Sequence, residues 1–222
     1  FAFMSMARTN RDQPLTMPKD SLLKFNSNIA NKYKAGVGLK YLDDFINSQV
    51  LETTIKSFLE ETKLKQTSPK VFETFLKTKT KKDINWFFKD YLNTRKKIDF
   101  KIKNVTKTED SITLTIKNKR NNSMPISLYT LNNDSIISKS WIENVTKNRT
   151  ITIPRNDANK LVLNYNQVIP EHNLRDNWKN LKGLFNKPVQ FRFFKDVENS
   201  YYNQVFYNLF ASYNLYDDLI LG

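Results

Sequence analysis

Tyr33 is the residue of this sequence most suggestive of a chemical role. It stands in Tyr33-Lys34-Ala35-Gly36-Val37-Gly38-Leu39-Lys40-Tyr41-Leu42, where a helical pattern begins. A tyrosine opening a buried helix projects its phenol from the element's end into whatever cleft lies there. It can equally be a packing ring, because aromatics at helix starts are commonly core or rim. The other candidates mainly exclude. The sole histidine, His172, sits in the loop-like Pro170-Glu171-His172-Asn173, and there is no cysteine. A histidine–carboxylate or thiolate zinc site therefore cannot be assembled from this chain alone. There is no Gly-x-Ser-x-Gly, and His172 is the only base a serine hydrolase could use. Four glycines leave no phosphate-cradling loop. Asp43-Asp44 and Glu60-Glu61 are each adjacent pairs that diverge on a helix, and read as exposed faces. The chain is thus expected to supply no metal ligand and no cofactor-binding residue.

The elements that must position Tyr33 are helical. The first 32 residues read as a loop and a short helix starting near Thr16-Met17-Pro18-Lys19-Asp20, with Leu22, Leu23, Phe25 and Ile29 apolar. From Tyr33 to Ser48, Ala35, Leu39, Leu42 and Ile46 keep helical spacing, and Val37, Tyr41 and Phe45 add a second face, predicting a largely buried helix. Gly36 and Gly38 each weaken it by ~1 kcal/mol relative to alanine, which predicts close approach of another backbone. A third helix spans about 49–63. Ser68-Pro69 caps and opens a fourth, with Val71, Phe72, Phe75 and Leu76 inward. Ile84, Phe87, Phe88 and Tyr91 form the last, and Trp86 points toward a neighbour or a cleft.

The period then changes. Phe100 and Ile102, Ile112, Leu114 and Ile116, Ile126 and Leu128, Ile151 and Ile153, and Leu161 and Leu163 alternate with polar residues between regular turns. This is the pattern of a small antiparallel sandwich. Beyond Asn166, a short helix over 174–184 and a strand at Val189–Phe193 are expected, and Tyr201–Tyr216 shows no clear helical period. The expected fold class is α+β: a helical module over 1–95, a β-sandwich over 96–166 and an aromatic-rich extension over 167–222.

Composition bounds the partners. Aromatic residues make up 13% of the chain and apolar residues 39%, enough for a core built on rings. The formal charge is +14, but the lysines are scattered and form no nucleic-acid motif, so a solvated basic surface is the expectation. A basic module binding an anionic partner, with Trp86, Tyr201 and Tyr202 as exposed aromatics, is the competing reading. A third is a scaffold domain in an envelope complex. Phe1 is not a natural start, which predicts that more sequence precedes it.

The Tyr33–Gly36 segment, followed by the helix with Leu39 and Leu42, resembles the tyrosine–x–lysine–glycine helix of gluzincin zinc aminopeptidases. The likeness continues through the 51–63 helix, Thr67-Ser68-Pro69 with Phe72, and Ile84-Asn85-Trp86-Phe87-Phe88, and the 99–165 sheet falls where such peptidases often place a sandwich. Ala35 replaces the motif lysine, and the zinc-binding helices are absent. The resemblance implies the carboxy-terminal portion of a zinc metallopeptidase, with zinc bound outside this chain and a peptide as substrate. In it Tyr33 would stabilise the oxyanion of the tetrahedral intermediate, and the rest of the catalytic domain would lie upstream of Phe1. Pro188–Asp196 looks like the tail of longer bacterial envelope-associated relatives, implying a periplasmic or outer-membrane setting and outer-membrane association through a C-terminal continuation.

Overall fold

A computed structural model describes residues 2–46, 48–183, 185–194, 199–209, 211–214 and 218–221. Helices come first and sheets follow, an α+β arrangement. Helix α1 (Ala2–Arg8) buries Phe3, Met6 and Ala7. A π-helical turn, Asn26–Ala30, runs directly into α2 (Asn31–Ile46). Helices α3 (Ser48–Thr62) and α4 (Pro69–Lys79) follow, and a second π-helical segment, Phe87–Leu92, closes the helical half. Ser68 caps α4 by accepting the Val71 N–H, with Pro69 in the first turn. This matches the side-chain cap and proline that the sequence placed there.

The start of the chain differs from expectation. Residues 2–8 are helical, and Thr16–Asp20 yields only a 3-10 turn, Lys19–Ser21, with Leu22 extended. The cause is Gln13. Its Oε1 accepts from the Leu23 N–H and from the Asn26 side-chain Nδ2, each at 2.7 Å, so a side chain from a preceding loop takes the Leu23 backbone donor that a helix continuing from Asp20 would have used. Val71 also departs from its inward assignment and is 47% exposed.

Two sheets build the sandwich. One has the order β1-β2-β5, from Phe100–Lys107, Ser111–Asn118 and Asn148–Pro154. The other has the order β4-β3-β6-β7, from Ser135–Ile142, Ile126–Asn132, Lys160–Leu163 and Trp178–Asn180. All of these pairs are antiparallel. β2 alternates buried and half-buried along its whole length, the period-2 pattern read from its isoleucines and threonines. β4 follows no such alternation: it is serine-rich, and Ile136 is 53% exposed.

β7 corrects the helix expected over 174–184. Trp178 and Lys179 pair with Val162 and Leu161, and the Asn177 carbonyl accepts the Leu163 N–H at 2.9 Å. Strand pairing therefore claims the backbone groups a helix would need; Leu184 lies outside the described residues. The pairing gives β3 two buried faces. Ile126 and Leu128 enter the main core, while Tyr129 and Leu131 pack with Val162, Tyr165 and Trp178. Beyond β7, β8 (Val189–Phe193), at the expected strand, and β9 (Asn203–Tyr207) form a parallel pair, and β10 (Ala211–Asn214) and β11 (Asp218–Leu221) an antiparallel one. Tyr216 lies outside the described residues.

One apolar cluster runs from Tyr41, Leu42 and Phe45 of α2 through Trp86 and Phe87 to Ile112, Leu114 and Leu161 of the two sheets. Trp86, expected at a neighbour or cleft, is 6% exposed and packs 4.5 Å from the Tyr41 ring and 5.7 Å from Phe45. Polar links reinforce the seam. The Tyr41 O–H donates to the Pro125 carbonyl. Buried Asp90 accepts from Ser123 N at 3.1 Å, Ser123 Oγ at 3.0 Å and Lys96 Nζ at 2.8 Å.

Candidate functional site

The phase of α2 is fixed by what it buries. Lys34, Gly38, Tyr41, Leu42, Phe45 and Ile46 face inward. Lys34 is an unusual inward residue, only 3% exposed, and its Nζ donates to the carbonyls of Gln13 and Thr94, each at 3.1 Å. The ammonium also lies 5.7 Å from the Phe3 ring centroid and 5.9 Å from that of Tyr91, within cation–π range. Burial pulls its pKa down to about 8, with Asp12 partly opposing. One lysine thus ties the N-terminal loop, α2 and the end of the last helical segment together.

With Lys34 inward, its neighbour Tyr33 is turned about 100° around the helix, toward solvent. Tyr33 is 59% exposed, and its phenol has no hydrogen-bond partner among the described residues. Ile29 and Phe25, one and two turns back along the chain, are 40% and 44% exposed. The stripe continues through Gly36 to Lys40, both of which are also exposed. The helix was expected to be largely buried, but its outward stripe is open and in part apolar. Leu39, expected inward, is 38% exposed.

The two glycines separate cleanly. A Cβ on Gly38 would come within 2.2 Å of Tyr91 Cε1. The close approach expected there is made by a ring rather than by another backbone. Tyr91 is held in that place by its O–H, which donates to the Lys34 carbonyl at 2.8 Å, and burial pushes the phenol's pKa up. A Cβ on Gly36 would meet nothing within 4 Å. No packing among the described residues therefore requires glycine at 36, although glycine costs the helix ~1 kcal/mol there relative to alanine. Gly36 lies one turn from Tyr33 on the same face.

His172 donates its backbone N–H to the Ile98 carbonyl at 2.7 Å, and burial lowers its pKa. It lines a cavity of about 20 Å³ with Phe3, Ala7, Asp12, Lys34 and Tyr91, room for one water molecule. Asp44 pairs with Lys139 Nζ at 2.5 Å and accepts from Asn166 Nδ2 at 3.2 Å, joining α2 to the sandwich. Glu60 and Glu61 are exposed. Among the described residues, no group of three or more His, Cys, Asp or Glu side chains is placed to hold a metal ion. Sequence reasoning missed Lys34, and no pattern marks it: it is a lysine among the many of a basic chain, singled out only by the two carbonyls it meets.

Comparison with known proteins adds a fold. No family model and no curated protein matches the chain. Among solved structures, the chain is similar to aminopeptidase A of Legionella pneumophila, solved in complex with aspartic acid, with a TM-score of 0.55 and 14% identity over 64% of this chain. The chain spans only 17% of that aminopeptidase, and at this identity the likeness is one of fold. A β-glucosidase from Kluyveromyces marxianus aligns over 31% of this chain and 12% of its own at 14% identity, with a TM-score of 0.21, too low to carry an argument.

Proposed function

We propose that this chain is the carboxy-terminal part of a metallopeptidase of the aminopeptidase kind, and that Tyr33 is its contribution to peptide-bond hydrolysis. The observation that carries the reading is the outward stripe of α2. It holds a phenol with no hydrogen-bond partner among the described residues, an apolar approach made by Phe25 and Ile29, and a bare backbone at Gly36 with open space above it. The fold likeness to an aminopeptidase supports it, as does the tyrosine–x–x–glycine segment. Lys34 and the Tyr91 contact at Gly38 fix the phase of the helix from which Tyr33 projects, which supports the reading. The phenol O–H would donate to the oxygen of the scissile carbonyl as negative charge grows there, an interaction worth ~3–4 kcal/mol when one such donor is lost.

Zinc would be bound outside this chain, and the role proposed for this chain is confined to Tyr33. The zinc-binding half of the domain would be the partner that covers the apolar stripe, and the whole would act in a bacterial envelope. The test is Tyr33→Phe in a polypeptide that carries this segment together with the zinc-binding half. The expected result is a fall in kcat of about 10²–10³, with KM for an aminoacyl or peptide substrate and metal content unchanged. Unchanged turnover would remove Tyr33 from the mechanism.

A further inference from the structure

A cleft of about 150 Å³ opens where the helical half meets the sandwich, on residues that the chemistry proposed for Tyr33 does not use. Asp83, Trp86 and Lys89 border it from the last helical segment and the turn before it. Ser123 and Pro125, ahead of β3, and Glu143, just past β4, border it from the sandwich. The walls are held by bonds already in place. The Pro125 carbonyl accepts from Tyr41, and Ser123 donates its N–H and O–H to Asp90. Asp83 Oδ1 accepts the Asn85 N–H at 2.9 Å, and the Glu143 carbonyl accepts from Arg149. A cleft between two packed units, with walls set in advance, is a usual place for a small ligand.

Charge and size say which ligand. Asp83 and Lys89 stand on the helical side and Glu143 on the sandwich side, yet none of the three is ion-paired among the described residues, although opposite charges border one space. Trp86 is 6% exposed and its indole N–H has no acceptor among the described residues; a buried indole N–H ordinarily has one. A bare cation in the cleft would meet Lys89, and an inorganic anion would meet Asp83 and Glu143. A molecule carrying an ammonium and a carboxylate side by side supplies a counterpart to each. A cavity of about 150 Å³ holds a molecule of about six non-hydrogen atoms, the size of benzene. Alanine has that size.

We infer that this cleft binds a free α-amino acid with a small side chain, its ammonium toward Glu143 and Asp83 and its carboxylate toward Lys89 and the Trp86 indole N–H. Charge-assisted hydrogen bonds at both ends fix its orientation. An α-amino acid is also what cleavage at the amino end of a peptide releases, but the inference does not rest on the role given to Tyr33.

The test is a titration of the 222-residue chain with L-alanine, followed by nuclear magnetic resonance of the backbone amides and of the three tryptophan indole N–H groups. Acetate and methylammonium serve as probes that carry one charge each. The expected result is saturable binding in about the millimolar range, with the Trp86 indole resonance moving and those of Trp141 and Trp178 still. Both single-charge probes should bind at least about ten-fold more weakly. Lys89→Gln and Glu143→Gln should each weaken alanine about ten-fold with an unchanged thermal midpoint, since neither side chain has a partner among the described residues. No saturable shift at tens of millimolar alanine overturns the inference. Equal binding of acetate or methylammonium overturns it as well, as does alanine binding that neither variant weakens.

Discussion

Gly36→Ala and Gly38→Ala place the same methyl group at two sites on one helix, and their effects should have opposite signs. At Gly38 the new Cβ lies 2.2 Å from Tyr91 Cε1, so the ring must retreat by roughly 1.3 Å to reach ordinary contact. It has little freedom to do so. Tyr91 is stacked on Phe87 at 5.8 Å and 10°, meets Tyr41 edge-on at 6.3 Å, and is tethered through its O–H to the Lys34 carbonyl. Overpacking costs ~1–3 kcal/mol, and a 2.2 Å approach to a tethered ring belongs to the upper part of that range, ~2–3 kcal/mol, against ~1 kcal/mol gained from helix propensity. The net expectation is destabilisation by about 1–2 kcal/mol, or a fall in Tm of about 3–6 °C for a chain of this size. At Gly36 nothing opposes the gain, so alanine should raise Tm by about 2–3 °C. The assay is thermal unfolding followed by circular dichroism for both variants, repeated for Gly38→Ala in a Tyr91→Ala background. There the methyl should become neutral or stabilising. If Gly38→Ala alone leaves Tm unchanged or raises it, the ring does not lie against the helix and the account of how α2 is held is wrong.

Other outcomes follow from the seam and the buried groups. Tyr41→Phe should destabilise by about 1–3 kcal/mol in denaturant unfolding, because the Pro125 carbonyl loses its buried donor. Tyr33→Phe should change the stability of this chain by less than about 0.5 kcal/mol, since the phenol is exposed and unpartnered; a larger loss would show a structural contact. Burial away from water pushes Glu171 up to about 8, against the donors Phe100 N, Asn177 and Asn164, while Asp99 adds to the rise. The folded chain therefore holds a proton that the unfolded chain releases near 4.5. Stability should fall as pH rises between these values, by up to about 1.4 kcal/mol per unit, and Glu171→Gln should flatten that limb in urea titrations at several pH values. Asp90 behaves in the opposite way. Burial raises its carboxyl, but hydrogen bonds from Lys96 and Ser123 bring it below 3.8, so its stabilisation is present at neutral pH and lost on acidification through its folded value. Asp90→Ala should remove that part of the acid-side loss.

Much of the architecture is legible because it follows from periods and punctuation. Ser68-Pro69 announces α4, and the isoleucines of β2 announce a half-covered strand. What escapes is set by contacts distant in sequence. The helix opening depends on Gln13, which reaches ten residues ahead to Leu23. β7 is a strand because β6 offers it an edge, and β3 is buried on both faces because Tyr165 and Trp178 cover the second one. Tyr33 could be singled out by type and place, but not the direction it faces. That direction is decided by Lys34, whose burial no apolar pattern would reveal.

The change of period near residues 93–98 looks like a place to cut. The wedge of Tyr41, Phe45 and Trp86, with Trp141 stacked 6.0 Å from Tyr41, spans that cut instead of ending at it. Severed there, each piece would present wet aromatic surface, and Pro125 and Asp90 would each lose their counterpart. The helices and the sandwich should thus melt in a single transition, and expression trials are better served by keeping the two joined.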